Sequence, residues 1–120
     1  MTIRVQKEEF DPWREVAACQ EAHTSGWAGR YGATAVFIGS LRDFNQGQAV
    51  TGMTLEHYPG MTEKALEAIV VQARDRWDLL DVLVVHRVGE LRPTDPIVLV
   101  AVSSAHRGEA FAACEFVIDY

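Results

Sequence analysis

The sequence contains few cysteines and few lysines. Cys19 and Cys114 are its two cysteines, and their wide separation excludes a C-x-x-C metal or redox motif and a dense disulfide framework. Such sparse use of cysteine is typical of the reduced cytoplasm. Of the 11 lysines and arginines, only Lys7 and Lys64 are lysines, and the formal net charge is -6. This acidic balance excludes the broad basic face of a nucleic-acid-binding protein.

The sequence also lacks long apolar runs and the common catalytic signatures. No run approaches the roughly 18 residues of a membrane span, and the first residues lack the apolar stretch of a signal peptide. A P-loop, a dinucleotide-binding fingerprint and a nucleophile elbow are absent. The histidines lie on separate predicted elements without paired-ligand spacing, so no metal site is expected. They are His23, His57, His86 and His106.

Strand and helix patterns alternate along a chain of 120 residues, a length that suits one domain, 1–120. Short hairpin connections favour an α+β fold with mainly antiparallel strands over a doubly wound sheet. We expect the strand at 33–38 to be buried on both faces, Thr62 to cap the middle helix, and the last helix to bury Phe111. Strands are predicted over 3–6, 33–38, 50–58, 81–88 and 96–102, and helices over 12–22, 61–77 and from Ser104 onward.

The most informative segment is Ser103 to Arg107, which follows an apolar run. It predicts a strand that ends in a serine cap and opens a helix with His106 and Arg107 in its first turn. Free backbone N–H groups at a helix start attract anions, and an arginine fork grips a phosphate or carboxylate with two hydrogen bonds. A cationic niche on an acidic chain indicates a small anionic ligand. The alternative is that Arg107 is a solvated surface residue and that His106 only packs.

Further candidates lie at the ends of other predicted strands. Arg42 follows the second strand at the edge of a polar loop, where it is free to point into a cleft; the alternative is a surface salt bridge. His57 and Tyr58 either carry function or brace the turn that follows them. His86 is interpreted as a hydrogen-bonded core histidine, and Cys114 as a buried, inert thiol.

Several longer segments occur together in one known family. They are Phe37–Arg42, Leu55–Lys64, Arg76-Trp77, His86–Gly89, Ser103–Arg107, and Ala110–Cys114 through Asp119-Tyr120. In this order they resemble the large catalytic subunit of molybdopterin synthase, the MoaE family. The resemblance covers roughly Ala33 to Tyr120. The Glu-His-Tyr-Pro-Gly-Met-Thr-Glu-Lys run and the Ser-Ala-His-Arg run are its most specific parts.

The resemblance implies an α/β-hammerhead fold and a homodimer of large subunits. Each large subunit binds a small, ubiquitin-like subunit of the MoaD family, which gives a heterotetramer. The small subunit's C-terminal Gly-Gly tail carries a thiocarboxylate, threads into a pocket and passes sulfur to cyclic pyranopterin monophosphate, which forms the dithiolene of molybdopterin. The large subunit needs no metal and no cofactor for this reaction. The positions that line the family's substrate site match Ser40, Leu41, Arg42, His106 and Arg107.

The sequence departs from the family pattern in one respect. In the family, Asp-Tyr is followed by a Leu-Lys pair and an Ala-Pro-x-Trp-Lys stretch, whose two lysines are usually assigned to catalysis. Neither of these two lysines has a match in the 120 residues of this sequence. Lys64 lies on a different helix and is not their counterpart. We expect a tail that supplies them, and no catalytic residue is assigned here. The alternatives are a non-catalytic subunit that docks the small subunit or pterin without turnover, and a general anion-binding α+β module.

Overall fold

The computed structural model describes residues 1–27, 29–42, 44–45, 48–49, 53–55 and 60–119, with side chains described outside 23–27 and 44–55. The strands are β1 Thr2–Gln6, β2 Ala33–Ser40, β3 Phe44–Asn45, β4 Gln48–Ala49, β5 Met53–Leu55, β6 Leu79–Arg87, β7 Gly89–Leu91 and β8 Pro96–Ser104. The helices are α1 Pro12–Trp27, α2 Met61–Arg76 and α3 Arg107–Ile118. None of these helices is long and apolar enough to span a membrane.

The main sheet has four strands in the order β1-β6-β8-β2. β6, β8 and β2 are antiparallel neighbours, whereas β1 runs parallel to β6. Two smaller sheets, β3-β4 and β5-β7, are antiparallel pairs. The predicted α+β class with mainly antiparallel strands is confirmed.

Both faces of the main sheet are covered, because successive side chains of β6 and β8 point to opposite sides. On one side, α2 and α3 pack over Val82, Val84, Val100 and Val102. On the other side, α1 brings Val16 and Cys19 against Leu83, Val85, Leu99 and Ala101. Since β6 and β8 lie between helices, they read as nearly continuous apolar runs in the sequence.

The start of α2 differs from the predicted cap. The helix begins at Met61 after Gly60, whose φ is 83°, a value that glycine adopts without strain. The Glu63 carboxylate accepts the Gly60 N–H at 2.6 Å. The prediction of Thr62 as the N-cap was therefore wrong, because Gly60 reverses the chain before Thr62 is reached.

The prediction that the strand at 33–38 is buried on both faces was also wrong. β2 pairs with β8 alone among the described strands of the sheet and forms its edge. Ala35 is buried, but Phe37 is 40% exposed. Phe111, expected in the core, is 67% exposed on α3, and Ala110, Ala113, Cys114 and Val117 fill the core from that helix instead. β2 and α3 thus present a shared apolar surface.

Candidate functional site

The turn between β8 and α3 carries the first candidate residues. His106 is the N-cap residue, with extended backbone at φ -130° and ψ 140°, and α3 begins at Arg107. Ser104, which the sequence predicted as a cap, is fully buried. Its hydroxyl donates to the Asp78 carbonyl at 3.0 Å and accepts the His106 N–H at 3.4 Å. Ser104 therefore braces the turn and does not cap the helix.

The first turn of α3 is open to a ligand. No side chain of the described residues caps its backbone N–H groups by hydrogen bonding. His106 and Arg107 are both exposed, so His106 does not pack in the core of this chain. A helix start without a cap retains N–H donors and partial positive charge, to which the Arg107 guanidinium adds a full one. This arrangement suits a phosphate or a carboxylate.

The second group of candidate residues follows β2. Ser40 and Arg42 are exposed, whereas Leu41 between them is buried. The Leu41 N–H donates to the Asp95 carbonyl at 3.0 Å, and the Leu41 carbonyl accepts the Thr94 N–H at 2.7 Å. The segment that carries Arg42 is thereby fixed to the turn between β7 and β8.

That turn is held in place by a buried arginine. Arg87 is 5% exposed, and its guanidinium donates to the Asp95 carboxylate at 3.1 Å and to the Lys7 carbonyl at 3.0 Å. The Arg92 N–H bonds the same carboxylate at 2.8 Å. The Arg92 hydrogen bond and, after it, the Arg87 guanidinium lower the pKa of Asp95 below its usual value. These contacts of Arg87 were not predicted from the sequence. Their one sign in the sequence is an arginine inside an otherwise apolar strand.

Thr94 lies in the left-handed region, with φ 74°, where a residue with a Cβ costs about 1–2 kcal/mol. We expect Thr94→Gly to raise the free energy of unfolding by about 0.5–1 kcal/mol, after allowance for glycine's larger unfolded-state entropy. Urea unfolding measures this change. The same substitution at Thr62, in the helical first turn of α2, should lower stability. A destabilised Thr94→Gly protein would show that the turn is not strained.

The candidate residues do not converge within one chain. Ala33 pairs with Ser104 at one end of β2, and Ser40 pairs with Pro96 at the other. The strand between them rises by about 3.3 Å per residue, or roughly 23 Å in all. The Ser40–Arg42 segment and the His106-Arg107 pair therefore lie at opposite ends of the sheet.

The remaining candidates have structural positions or lie outside the described residues. His86 is half-buried on the α3 side of the sheet, beside a cavity lined by Phe37, Val98 and Ile118. Glu56, His57 and Tyr58 lie outside the described residues. Lys64 is exposed on α2. Within the described part of the chain, no three His, Cys, Asp or Glu side chains are grouped to hold a metal ion.

Both cysteines lie in surroundings that keep their thiols protonated at neutral pH. Burial raises the pKa of Cys114 to about 11, and burial, followed by a 3.0 Å hydrogen bond to Asp81, raises the pKa of Cys19 to about 12. A protonated thiol is a poor nucleophile. The interpretation of Cys114 as a buried, inert thiol is thus supported. The two cysteines are unpaired and pack on opposite faces of the sheet.

Comparison with known proteins places the chain in a family. The model of the family described as "MoaE protein" matches residues 5–120. The chain belongs to the MoaE family. The match also includes most of the segment before Ala33, where the motifs quoted from the sequence are absent.

Individual MoaE relatives are close in sequence and in structure. A molybdopterin synthase catalytic subunit from Ralstonia nicotianae is 62% identical over 99% of this chain and 65% of its own length. One from Pseudomonas aeruginosa is 51% identical over 100% of this chain and 77% of its own. The structure of a molybdopterin biosynthesis MoaE protein from Burkholderia ambifaria has a TM-score of 0.85 and 52% identity, over 99% of this chain and 74% of that one. This chain thus spans about two thirds to three quarters of the length of these relatives.

Proposed function

We propose that this chain is the large, catalytic subunit of a cytoplasmic molybdopterin synthase. In this function, sulfur passes from the thiocarboxylated C-terminus of a small ubiquitin-like subunit to cyclic pyranopterin monophosphate, and the dithiolene of molybdopterin forms. The observation that carries the proposal is the family match over residues 5–120, with a relative of that name at 62% identity. The fold and the exposed cationic residues are consistent with it.

The residues at the two ends of β2 would bind the substrate. Arg107 and the uncapped N–H groups of α3 suit the phosphate, and His106 adds a hydrogen bond beside them. Arg42 supplies a second cation, with Ser40 and Leu41 lining the site next to it. Because the lysines that the family uses in catalysis have no match among these 120 residues, we assign these residues to binding and orientation.

Two copies of the chain would bring these two groups of residues onto one substrate. Within one chain the groups flank opposite ends of β2, which are roughly 23 Å apart. A two-fold axis at the middle of β2 would pair that strand with the β2 of a second copy in antiparallel orientation. Ser40 of one copy would then lie beside Ala33 of the other, next to the start of α3. The site would be completed by both copies.

The edge of β2 has the properties of a pairing surface. Its sequence, Ala33–Ser40, contains no charged residue and no proline, which are the usual means by which an exposed edge avoids another strand. Phe37 and Phe111 are exposed beside it and line an apolar cavity with Ala35, Cys114 and Ile118. A second copy would cover these side chains, which are otherwise costly to expose to water.

The proposed function is tested with the small subunit. We expect this chain to co-elute with a ubiquitin-like partner on a sizing column. Deleting the partner's terminal Gly-Gly should weaken the complex by more than about tenfold, about 1.4 kcal/mol. Replacing Gly-Gly by Ala-Ala keeps the length of the tail and tests whether the tail passes through a narrow pocket. This variant should also weaken the complex, because added Cβ atoms obstruct such a pocket.

Two results would count against the proposal, one from this association experiment and one from an assay of molybdopterin formation. If the two proteins do not associate at all, the synthase assignment is wrong. If they associate but the full-length protein makes no molybdopterin from a thiocarboxylated partner, the chain is a binding subunit without turnover.

A further inference from the structure

The turn that presents His106 and Arg107 is held by a closed set of hydrogen bonds behind it. Glu109, half-buried in the first turn of α3, accepts the Asp78 N–H through Oε2 at 3.1 Å. The same oxygen lies 3.5 Å from the Ser104 hydroxyl. That hydroxyl bonds the Asp78 carbonyl and the His106 N–H. The start of β6, the end of β8 and the start of α3 are thereby joined.

We infer that Glu109 is a positioning residue for His106 and Arg107, an inference that rests on the proposed function of this pair in substrate binding. Glu109 does not itself face the open side of the turn. Its carboxylate satisfies the backbone N–H of Asp78, while the buried Ser104 satisfies the Asp78 carbonyl. Through these two contacts the first turn of α3 is fixed relative to the sheet.

The direction of the Glu109 side chain distinguishes this role from an electrostatic one. An acidic residue in the first turn of a helix commonly stabilises it by bonding or facing the helix's own free N–H groups. Glu109 instead reaches back to Asp78, and the α3 N–H groups remain without a side-chain cap among the described residues. The brace therefore orients the cationic turn and leaves its donors available to an anion.

The length of the Glu109 side chain, and not its charge, should then determine the affinity for the substrate. Glu109→Gln keeps an acceptor oxygen at the same reach and removes the charge. Glu109→Asp keeps the charge and shortens the side chain by one methylene, so that it no longer reaches Asp78. We expect Glu109→Asp and Glu109→Ala to weaken binding of cyclic pyranopterin monophosphate by about five- to tenfold, and Glu109→Gln by less than about twofold.

Calorimetric titration of the protein in complex with its small subunit measures these affinities, at a temperature where unfolding curves show every variant to be folded. Glu67→Asp, at an exposed position of α2, is the matched control and should bind as wild type does. Wild-type affinity in a folded Glu109→Asp protein, or equal losses in Glu109→Asp and Glu109→Gln, would overturn the positioning role. If Glu109→Ala does not fold, the Gln and Asp variants still decide the question. Failure of the wild-type complex to bind the pterin would instead overturn the proposed function.

Discussion

Neither Arg42→Ala protein nor Arg107→Ala protein should contain tight substrate sites by itself. After the two are mixed in equal amounts, about a quarter of all substrate sites should bind tightly. In the proposed site, each substitution removes one charge-assisted contact to the substrate, worth about 1.5–3 kcal/mol, or roughly ten- to a hundredfold in affinity. If each site takes Arg42 from one copy and Arg107 from the other, a mixed dimer contains one intact site and one site without either arginine. Random exchange makes about half of the dimers mixed.

Titration with cyclic pyranopterin monophosphate counts the tight sites before and after exchange. The matched control mixes wild-type protein with an Arg42→Ala, Arg107→Ala double variant. In that mixture, exchange should lower the tight sites from about half to about a quarter, because mixed dimers then contain no intact site. Sites built within one chain would give no recovery in the first mixture and no decrease in the second. Either result would refute the two-copy site.

Much of the fold could be predicted from the sequence because its strongest patterns follow from burial. β6 and β8 lie between helices, so both of their faces are apolar. Apolar residues recur at every fourth position from Met61 to Trp77, and this pattern predicted α2 to within a residue of its observed Met61–Arg76 bounds. The parallel pairing of β1 with β6 was not predicted, because parallel pairing joins distant segments and leaves no local signal.

The wrong predictions of burial concern β2 and Phe111, whose apolar side chains are exposed in a single copy of the chain. The run Ala33–Ile38 resembles a buried central strand, yet β2 is an edge strand with Phe37 exposed. Phe111 was expected in the core for the same reason. Composition alone cannot distinguish burial within a chain from burial between chains. In the proposed two-copy arrangement, both residues would be covered.

At the candidate site, the sequence identified the exposed cations but not the residues that orient them. His106 and Arg107 were apparent from a strand-to-helix transition. Glu109 was not identified, because its role depends on contacts with segments that are distant in sequence. The hydrogen-bond partner of Glu109, Asp78, precedes β6 in the sequence, whereas Glu109 follows β8. Such roles become visible only when the backbone path is known.

Gly32→Ala should destabilise the protein and weaken substrate binding together. The Gly32 N–H donates to the Ser104 carbonyl at 3.0 Å, and a Cβ at Gly32 would lie 1.7 Å from the Ala105 carbonyl oxygen. A backbone oxygen cannot move aside as a flexible side chain can. Either β2 or the turn before His106 must therefore shift, and we expect a loss of about 2–3 kcal/mol in the free energy of unfolding.

Gly108→Ala is the matched control, because it adds the same methyl group in the first turn of α3, where nothing lies within 4 Å of the new Cβ. Alanine is the better helix former, so this variant should be about 0.5–1 kcal/mol more stable than wild type. Urea unfolding gives both stabilities, and pterin titration of the folded proteins gives both affinities. If Gly32→Ala matches wild type in both measurements, β2 does not approach the turn as closely as the structure places it. If it loses stability alone, the close approach supports the sheet without orienting His106 and Arg107.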